Sequence, residues 1–433
     1  MVADWMINPV YWVIFFLGVL IFTRIMRAFV LSPYFITSLF LAQSAAVLVI
    51  EYSRLQLLAL NGLCCIFFFL VGFRSRFLVS SDGVRSVARV VDRRFGYAIF
   101  AYPLFVCVLF VLGYLFFSGD LSEDFLSSLT QTESERATER KADKLVLLMG
   151  LALPSMMALL LGSPFLSRRL KWVAAGIFIV FTTFSGSKAG FSSLILMLFA
   201  LLHWQGVRLP RKYLIFGIGV LFLGPFVVFL FASERFGVNA TDIVDNSSFL
   251  FFFLEKILYR VVANNDQVEL LILSGASIYD YPFSGPLQLF DPIIKVAGLK
   301  FLGFEYSSGE WLYGINFGDW SGVGPNPTFL IEMPQALGFL SCFGMFFLGQ
   351  MFRLVYVARG SMLLFPIFYF MPTILFDISL FQMKVIAYVL FLVLLFCFGL
   401  VFRVFRFLVH VQQETHLASD EGVLVQRIEK GNT

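Results

Sequence analysis

Charge is what this chain has least of. Lys, Arg, Asp and Glu make up 14% of its 433 residues, against roughly 25% in an ordinary soluble domain. A water-soluble globule cannot hide a composition that is 59% hydrophobic. The net charge of +4 is small and the bases are scattered among short segments, which excludes the continuous basic surface that nucleic-acid phosphates require. No DNA or RNA partner is expected. Histidine is scarce too: His203 ends an apolar run, and His410 and His416 stand in a polar tail, with no spacing suited to zinc. The five cysteines, Cys64, Cys65, Cys107, Cys342 and Cys397, all lie in apolar stretches. They read as small hydrophobes rather than as disulfides or metal ligands. Neither a metal nor another cofactor is expected.

What the chain has in abundance is apolar runs of about 18 to 22 residues, the span of a bilayer core. They predict an all-α polytopic membrane protein with about eleven spans, near residues 7–23, 29–50, 55–73, 97–117, 145–163, 171–185, 189–204, 213–232, 326–352, 361–378 and 385–402. The first run has no basic region before it and no small-residue cleavage site after it, so it is expected to be retained rather than removed as a signal peptide. Arg24 and Arg27, the Arg74 to Arg94 group, Arg168, Arg169 and Lys171, Arg208 to Lys212, Arg353 and Arg359, and Arg403 and Arg406 occupy alternate gaps. Loops rich in Lys and Arg stay in the cytoplasm, so an odd span count predicts an external N-terminus and a cytoplasmic C-terminus. The expected organisation is a bundle of eight spans over 1–232, one long external loop over 233–325, three more spans over 326–402 and a cytoplasmic tail over 403–433. The long loop holds eleven acids and five bases, yet stays apolar enough to lie ordered against the membrane surface. Neither an internal repeat nor a pair of matching broken helices marks a secondary transporter.

Three features carry candidate chemistry. Over residues 248–272, Leu250, Leu254, Ile257, Leu258, Val261 and Val262 fall on one side of a helical wheel, and Lys256, Arg260, Asn264 and Gln267 on the other. Such a helix lies in the membrane interface; its Lys and Arg either hold an anion or pair with Glu255 and Asp266. In SGSKAG, residues 185–190, Lys188 stands alone among uncharged neighbours. A charge there marks a site or snorkels from a hairpin tip. In GVGPNPTFLIEMPQALG, residues 322–338, Asn326 suits an N-cap and Pro327 the first helical position, so free N–H groups face outward as an anion seat. Glu332 falls about one turn inside, where a carboxyl group is costly to keep, and is a candidate base or ion-pair partner. Pro334 bends the helix beyond it. The bland reading is a capped, kinked helix start. Together the features share one place, the external mouth of the bundle, where cations can hold a diphosphate while an acid takes a proton from a hydroxyl nucleophile. Asp266 and Glu305 are the other candidates for that acid.

The order of TTFSGSKAG, YRVVANNDQ and GPNPTFLIEMPQALGF, spread over residues 182 to about 345, resembles the O-antigen polymerases, the oligosaccharide repeat-unit polymerases or Wzy proteins. The resemblance implies a metal-independent, GT-C-like glycosyltransferase of the bacterial inner membrane. Such an enzyme moves a growing glycan from one undecaprenyl diphosphate onto a new lipid-linked repeat unit, in lipopolysaccharide or related surface-polysaccharide synthesis. Implied partners are undecaprenyl-diphosphate-linked glycans as donor and acceptor, membrane lipids, a chain-length regulator and a flippase. Lys188 stands where the family usually has Arg in an SGSR-like turn, keeping the charge but losing the bidentate fork. Arg260 opens the periplasmic helix motif; Pro327, Thr328 and Glu332 match PT-x-x-x-E, and Gly338 the downstream glycine. The Arg-x10-Gly pattern of some polymerases is not found at Arg235 or Arg260. By the residues themselves and by this resemblance together, Glu332 and Asp266 are the catalytic candidates, with Lys188, Lys256, Arg260, Asn264, Asn326 and Thr328 expected to bind diphosphate or glycan. The alternatives are an O-antigen ligase, disfavoured because none of the three histidines is external, and a lipid-linked oligosaccharide flippase.

Overall fold

The computed structural model describes residues 8–28, 32–75, 104–106, 108–109, 144–163, 166–184, 188–207, 215, 219, 266–282, 285–296, 306–318, 320, 328–358 and 361–397. Among the described residues every regular element is helical and none is a strand. Among the described residues five helices are long and apolar enough to cross a membrane: Pro9–Met26, Pro33–Ser53, Gln56–Arg74, Phe329–Val357 and Ile378–Cys397. Val13, Phe16 and Leu20, Phe67, Phe343 and Leu394 stay exposed on these helices. A soluble protein avoids such apolar surface, whereas lipid covers it at no cost. The chain is a helical membrane protein.

Local chemistry sets the helix ends. α1 (Pro9–Met26) starts where Asn8 Oδ1 accepts from Val10 N at 2.9 Å, with Pro9 in the first turn, and stops at Arg27 in the left-handed conformation, φ 50°. α2 (Pro33–Ile50) repeats the device: Ser32 Oγ accepts from Phe35 N at 3.2 Å, and Pro33 opens the helix. Such caps satisfy N–H groups that a helix start leaves bare. α3 (Gln56–Arg74), α4 (Lys144–Gly162), α5 (Arg168–Phe184) and α6 (Lys188–Trp204) follow. The expected fourth and eighth spans fall almost wholly outside the described residues, so the count of eleven is not reached here.

One expected span needs correcting. Residues 361–378 do not form one helix but two short ones, α12 (Phe365–Phe370) and α13 (Thr373–Phe376), and α14 (Ile378–Cys397) begins directly afterwards. Pro372 sits between the pair; lacking an N–H and crowding the preceding turn, it interrupts an otherwise apolar run. The re-entering span is broken as well, into α10 (Phe329–Leu337) and α11 (Ser341–Val357). Pro334 lies inside α10, and Gly338, at φ 56°, takes the left-handed turn that follows.

α11 runs parallel to α3 at close range. A Cβ at Gly72 would overlap Phe346 O, and one at Gly349 would overlap Phe69 O, so the absent side chains let the two backbones touch, as in other small-residue membrane crossings. The register is fixed at both ends. Ser341 Oγ donates to Asn61 Oδ1 at 2.9 Å, and Gln350 Nε2 donates to Gly72 O at 2.7 Å.

The contacts sort the helix ends. Tyr34, in the first turn of α2, donates its OH to Phe352 O at 3.0 Å and packs on Phe73, Tyr356 and Phe368. Trp204 Nε1, closing α6, donates to Ser361 O at 2.8 Å, and Arg353 donates to the Arg74 carbonyl. The last turns of α3, α6 and α11 therefore meet at one end. Met26 of α1 lies beside Ser38 there, and Gly162 of α4 packs against Met362. Arg24, Arg27, Arg74 and Arg353 collect at this end, as does the start of α5 with Arg168 and Arg169. α10 lies at the other end, beneath a cap formed by α7 (Asp266–Ser274), the 3₁₀ turns Ile278–Asp280 and Pro286–Phe290, α8 (Asp291–Val296) and α9 (Ser308–Phe317).

Candidate functional site at the mouth of the bundle

α10 is the element on which the site is built. Its first intrahelical bonds run from Ile331 N and Glu332 N to Thr328 O, at 3.0 and 2.9 Å, so Thr328 is the N-cap, in extended conformation at φ −91° and ψ 156°. This corrects the expectation of a cap at Asn326 with Pro327 as first helical residue. The helix starts two positions later, and a threonine, itself a favoured cap, holds the place. Its hydroxyl does not cap the helix. The Thr328 backbone N–H instead donates to Gln267 Oε1 at 3.0 Å, across from α7.

Thr328, Glu332 and Gln335 follow at spacings of four and three, one face of a helix. All three are buried. Gln335 Oε1 accepts from Gln288 Nε2 at 3.0 Å, and its own Nε2 donates to Ile278 O at 3.1 Å, so both 3₁₀ turns of the cap are held by one side chain of α10. Gln382, on α14, donates to Leu289 O and ties in the neighbouring strut. On the far side of the cap, Asn316 of α9 donates to Leu270 O of α7 at 3.0 Å. Ser277 with Asp280 and Ser307 with Glu310 form two capping boxes. Loops of this length hold shape only when their polar groups are so accounted for.

Glu332 is 5% exposed, and its carboxyl group makes neither ion pair nor hydrogen bond with a described residue. Asp291 and Asp377 lie within electrostatic range of it. Tyr281, in the cap, stands close to the same carboxyl groups. Burial first, then the charges of Asp291, Glu332 and Glu310, raise its phenol above the usual range. It stays protonated and donates to Tyr306 O at 2.6 Å while its ring meets Trp311 edge-on. Among the described residues no group of three or more His, Cys, Asp or Glu is arranged to hold a metal ion.

Of the residues singled out by sequence, Glu332 and Thr328 sit together on α10. Lys188 and Asp266 are the first described residues of α6 and α7. α6 spans 17 residues, roughly 25 Å at helical rise, and its far end is pinned by Trp204 among the clustered bases, so Lys188 stands towards the end that carries α10. Lys256, Arg260, Asn264 and Asn326 lie outside the described residues. Sequence reasoning missed Asp377 and Lys384. Asp377 Oδ1 accepts from Leu380 N at 2.6 Å, capping α14. Lys384 Nζ reaches Thr373 Oγ1 at 3.5 Å, stands 5.4 Å above the Phe370 ring and interacts with the Asp377 charge. The signal was there to read: these are the only charged residues between Arg359 and Arg403. Gln267, Gln288 and Gln335 were legible only as polar residues without a role.

Compared with family models, with curated proteins and with solved structures, the chain finds no match in any of the three.

Proposed function

We propose that the protein polymerises lipid-linked oligosaccharide repeat units at the outer face of the bacterial cytoplasmic membrane, as a metal-independent glycosyltransferase. The observation that carries this reading is the placement of Glu332: a carboxyl group buried one turn inside α10, at the end of the bundle opposite the clustered bases, with the YRVVANNDQ segment joined to the helix cap through Gln267. A base-rich end is favoured in the cytoplasm, which supports reading α10 and its cap as lying at the outer leaflet. A buried acid with no cation bonded to it among the described residues is costly to keep in a membrane, which supports reading it as a working site.

In the proposed reaction an acceptor sugar hydroxyl attacks the anomeric carbon of the donor glycan. Glu332 takes the hydroxyl proton as the new C–O bond forms. The bond from the anomeric carbon to the undecaprenyl diphosphate breaks, and the diphosphate leaves with the electron pair. Lys188, Lys256 and Arg260 hold that leaving group, supported by Asn264 and Asn326, and Asp266 is the alternative base. Charge placed in advance where it develops in the transition state, away from bulk water, is the main source of rate in such a site.

Deletion of the gene tests the reading. The expected result is a surface glycan stopped at one repeat unit. Unchanged long chains contradict it, total loss of surface glycan with polymer left on the lipid carrier makes the protein a ligase, and repeat units trapped on the inner leaflet make it a flippase. Arg260→Ala removes polymerisation from an inserted protein, whereas Lys188→Arg keeps it.

A further inference from the structure

Buried polar atoms are almost always hydrogen-bonded, and each one left without a partner is costly. Around the polar face of α10 several stand unpartnered among the described residues: Gln267 Nε2, Thr328 Oγ1 and Gln288 Oε1, with Gln382 Oε1 beside the same strut. Their residues are not at the surface. Gln267 is 0%, Thr328 3% and Gln288 7% exposed. Both glutamine amides are also held: the other atom of the Gln267 amide accepts from Thr328 N, and that of Gln288 donates to Gln335. The unused atoms thus flank the Thr328–Glu332–Gln335 face from both ends. From Thr328 to Gln335 this face is roughly 10 Å long, the length of a short saccharide rather than of one phosphate.

The chemistry of the set is specific. Gln267 offers an N–H donor, Gln288 a carbonyl acceptor and Thr328 a hydroxyl that does both. Glu332 lies between them as a carboxyl with neighbouring acids and no cation bonded to it among the described residues. Among the described residues such a surface offers a phosphate no cation, and it complements alternating hydroxyl groups, each both donor and acceptor. We propose that Gln267, Thr328 and Gln288 form a subsite for an uncharged, hydroxyl-rich sugar ring of the acceptor, separate from the cations that hold the diphosphate, and that they present its hydroxyl to Glu332. This rests on the polymerase reading and names the substrate group that this part of the site takes.

Thr328→Val is the discriminating variant. It keeps the shape and the backbone N–H bonded to Gln267, and removes only a hydroxyl that bonds to no described residue. The probe is the repeat-unit oligosaccharide released by mild acid from the host's own lipid-linked intermediates, carrying neither lipid nor phosphate. Its binding to the full-length protein in nanodiscs is read by saturation-transfer NMR. The expected result is binding that Thr328→Val weakens at least fivefold, that Glu332→Gln retains, and that equal inorganic pyrophosphate does not displace. Binding left unchanged by Thr328→Val, or displaced by pyrophosphate, overturns the subsite, as does an absence of binding to the wild type. The two readings fail separately. Oligosaccharide binding lost in Thr328→Val, from a protein that polymerises nothing, leaves the subsite standing and removes the polymerase. Polymerisation with an unaltered acceptor KM in Thr328→Val does the reverse.

Discussion

Gln267 and Thr328 stand 61 positions apart in the chain and meet in one hydrogen bond, the Gln267 Oε1 accepting from the Thr328 backbone N–H at 3.0 Å. The bond fastens the cap to the helix that carries Glu332. Breaking it leaves a buried N–H with no acceptor, which costs about 1–3 kcal/mol. Gln267→Leu is therefore expected to lower the thermal midpoint of the purified protein clearly, and Gln267→Glu, which retains an acceptor oxygen, less so. Equal midpoints for Leu and wild type would mean that the cap is held elsewhere.

The α3–α11 crossing makes a second demand. Gly72→Val and Gly349→Val place carbon against the backbone carbonyls of Phe346 and Phe69. Overpacking of this kind typically costs 1–3 kcal/mol, and here the obstacle is backbone rather than a side chain that can move. Gly176 on α5 has no atom within 4 Å of an added Cβ, so Gly176→Ala is expected to be neutral or slightly stabilising. Size-exclusion profiles after graded heating separate the three variants.

The same crossing brings two thiols together. Cys65 Sγ and Cys342 Sγ are 4.0 Å apart, a modest rotation from bonding distance. With Cys64, Cys107 and Cys397 replaced by Ala, copper phenanthroline is expected to link Cys65 to Cys342. Intact-mass measurement then reads the loss of two hydrogens, and maleimide no longer labels either thiol. Continued labelling of both places α3 and α11 in another register.

Asp377 and Lys384, both half-buried, test whether two neighbouring charges act as a unit. Lys384→Met alone leaves Asp377 short of its cation, and Asp377→Asn keeps a side-chain acceptor for Leu380 N while removing the charge. Neighbours that interact couple by about 0.5–3 kcal/mol. The double variant is expected to be more stable than the sum of the single losses allows; strict additivity in thermal melts contradicts the coupling.

Much of this arrangement could be read from the chain before any coordinates. The first three spans, the helix over 189–204, the bend at Pro334 and the place of Glu332 about one turn inside the re-entering helix follow from apolar run length, local helix signals and the scarcity of charge. The Thr328 cap was not legible. Asn-Pro is the stronger local signal, and only the tertiary bond from Gln267 shows which residue holds the helix start. The amide network was hidden for a related reason: glutamines carry no charge and no periodicity that sets them apart, and their roles depend on partners 47 and 61 positions away. The division of 361–378 was readable from Pro372, but a continuous apolar run outweighs one proline when only length is counted. Asp377 and Lys384 were equally readable, by the reasoning that picked out Lys188.

The central claim is that Glu332 does acid–base work in glycan transfer. The direct measurement is chain extension by the purified full-length protein in nanodiscs, supplied only with lipid-linked repeat unit and chelator. Removing a positioned base typically costs 10²–10⁴-fold. The account predicts that wild type builds a ladder of chain lengths and that Glu332→Gln, with an unchanged thermal midpoint, extends at least about 100-fold more slowly. A folded Glu332→Gln protein that builds the same ladder at the wild-type rate contradicts it.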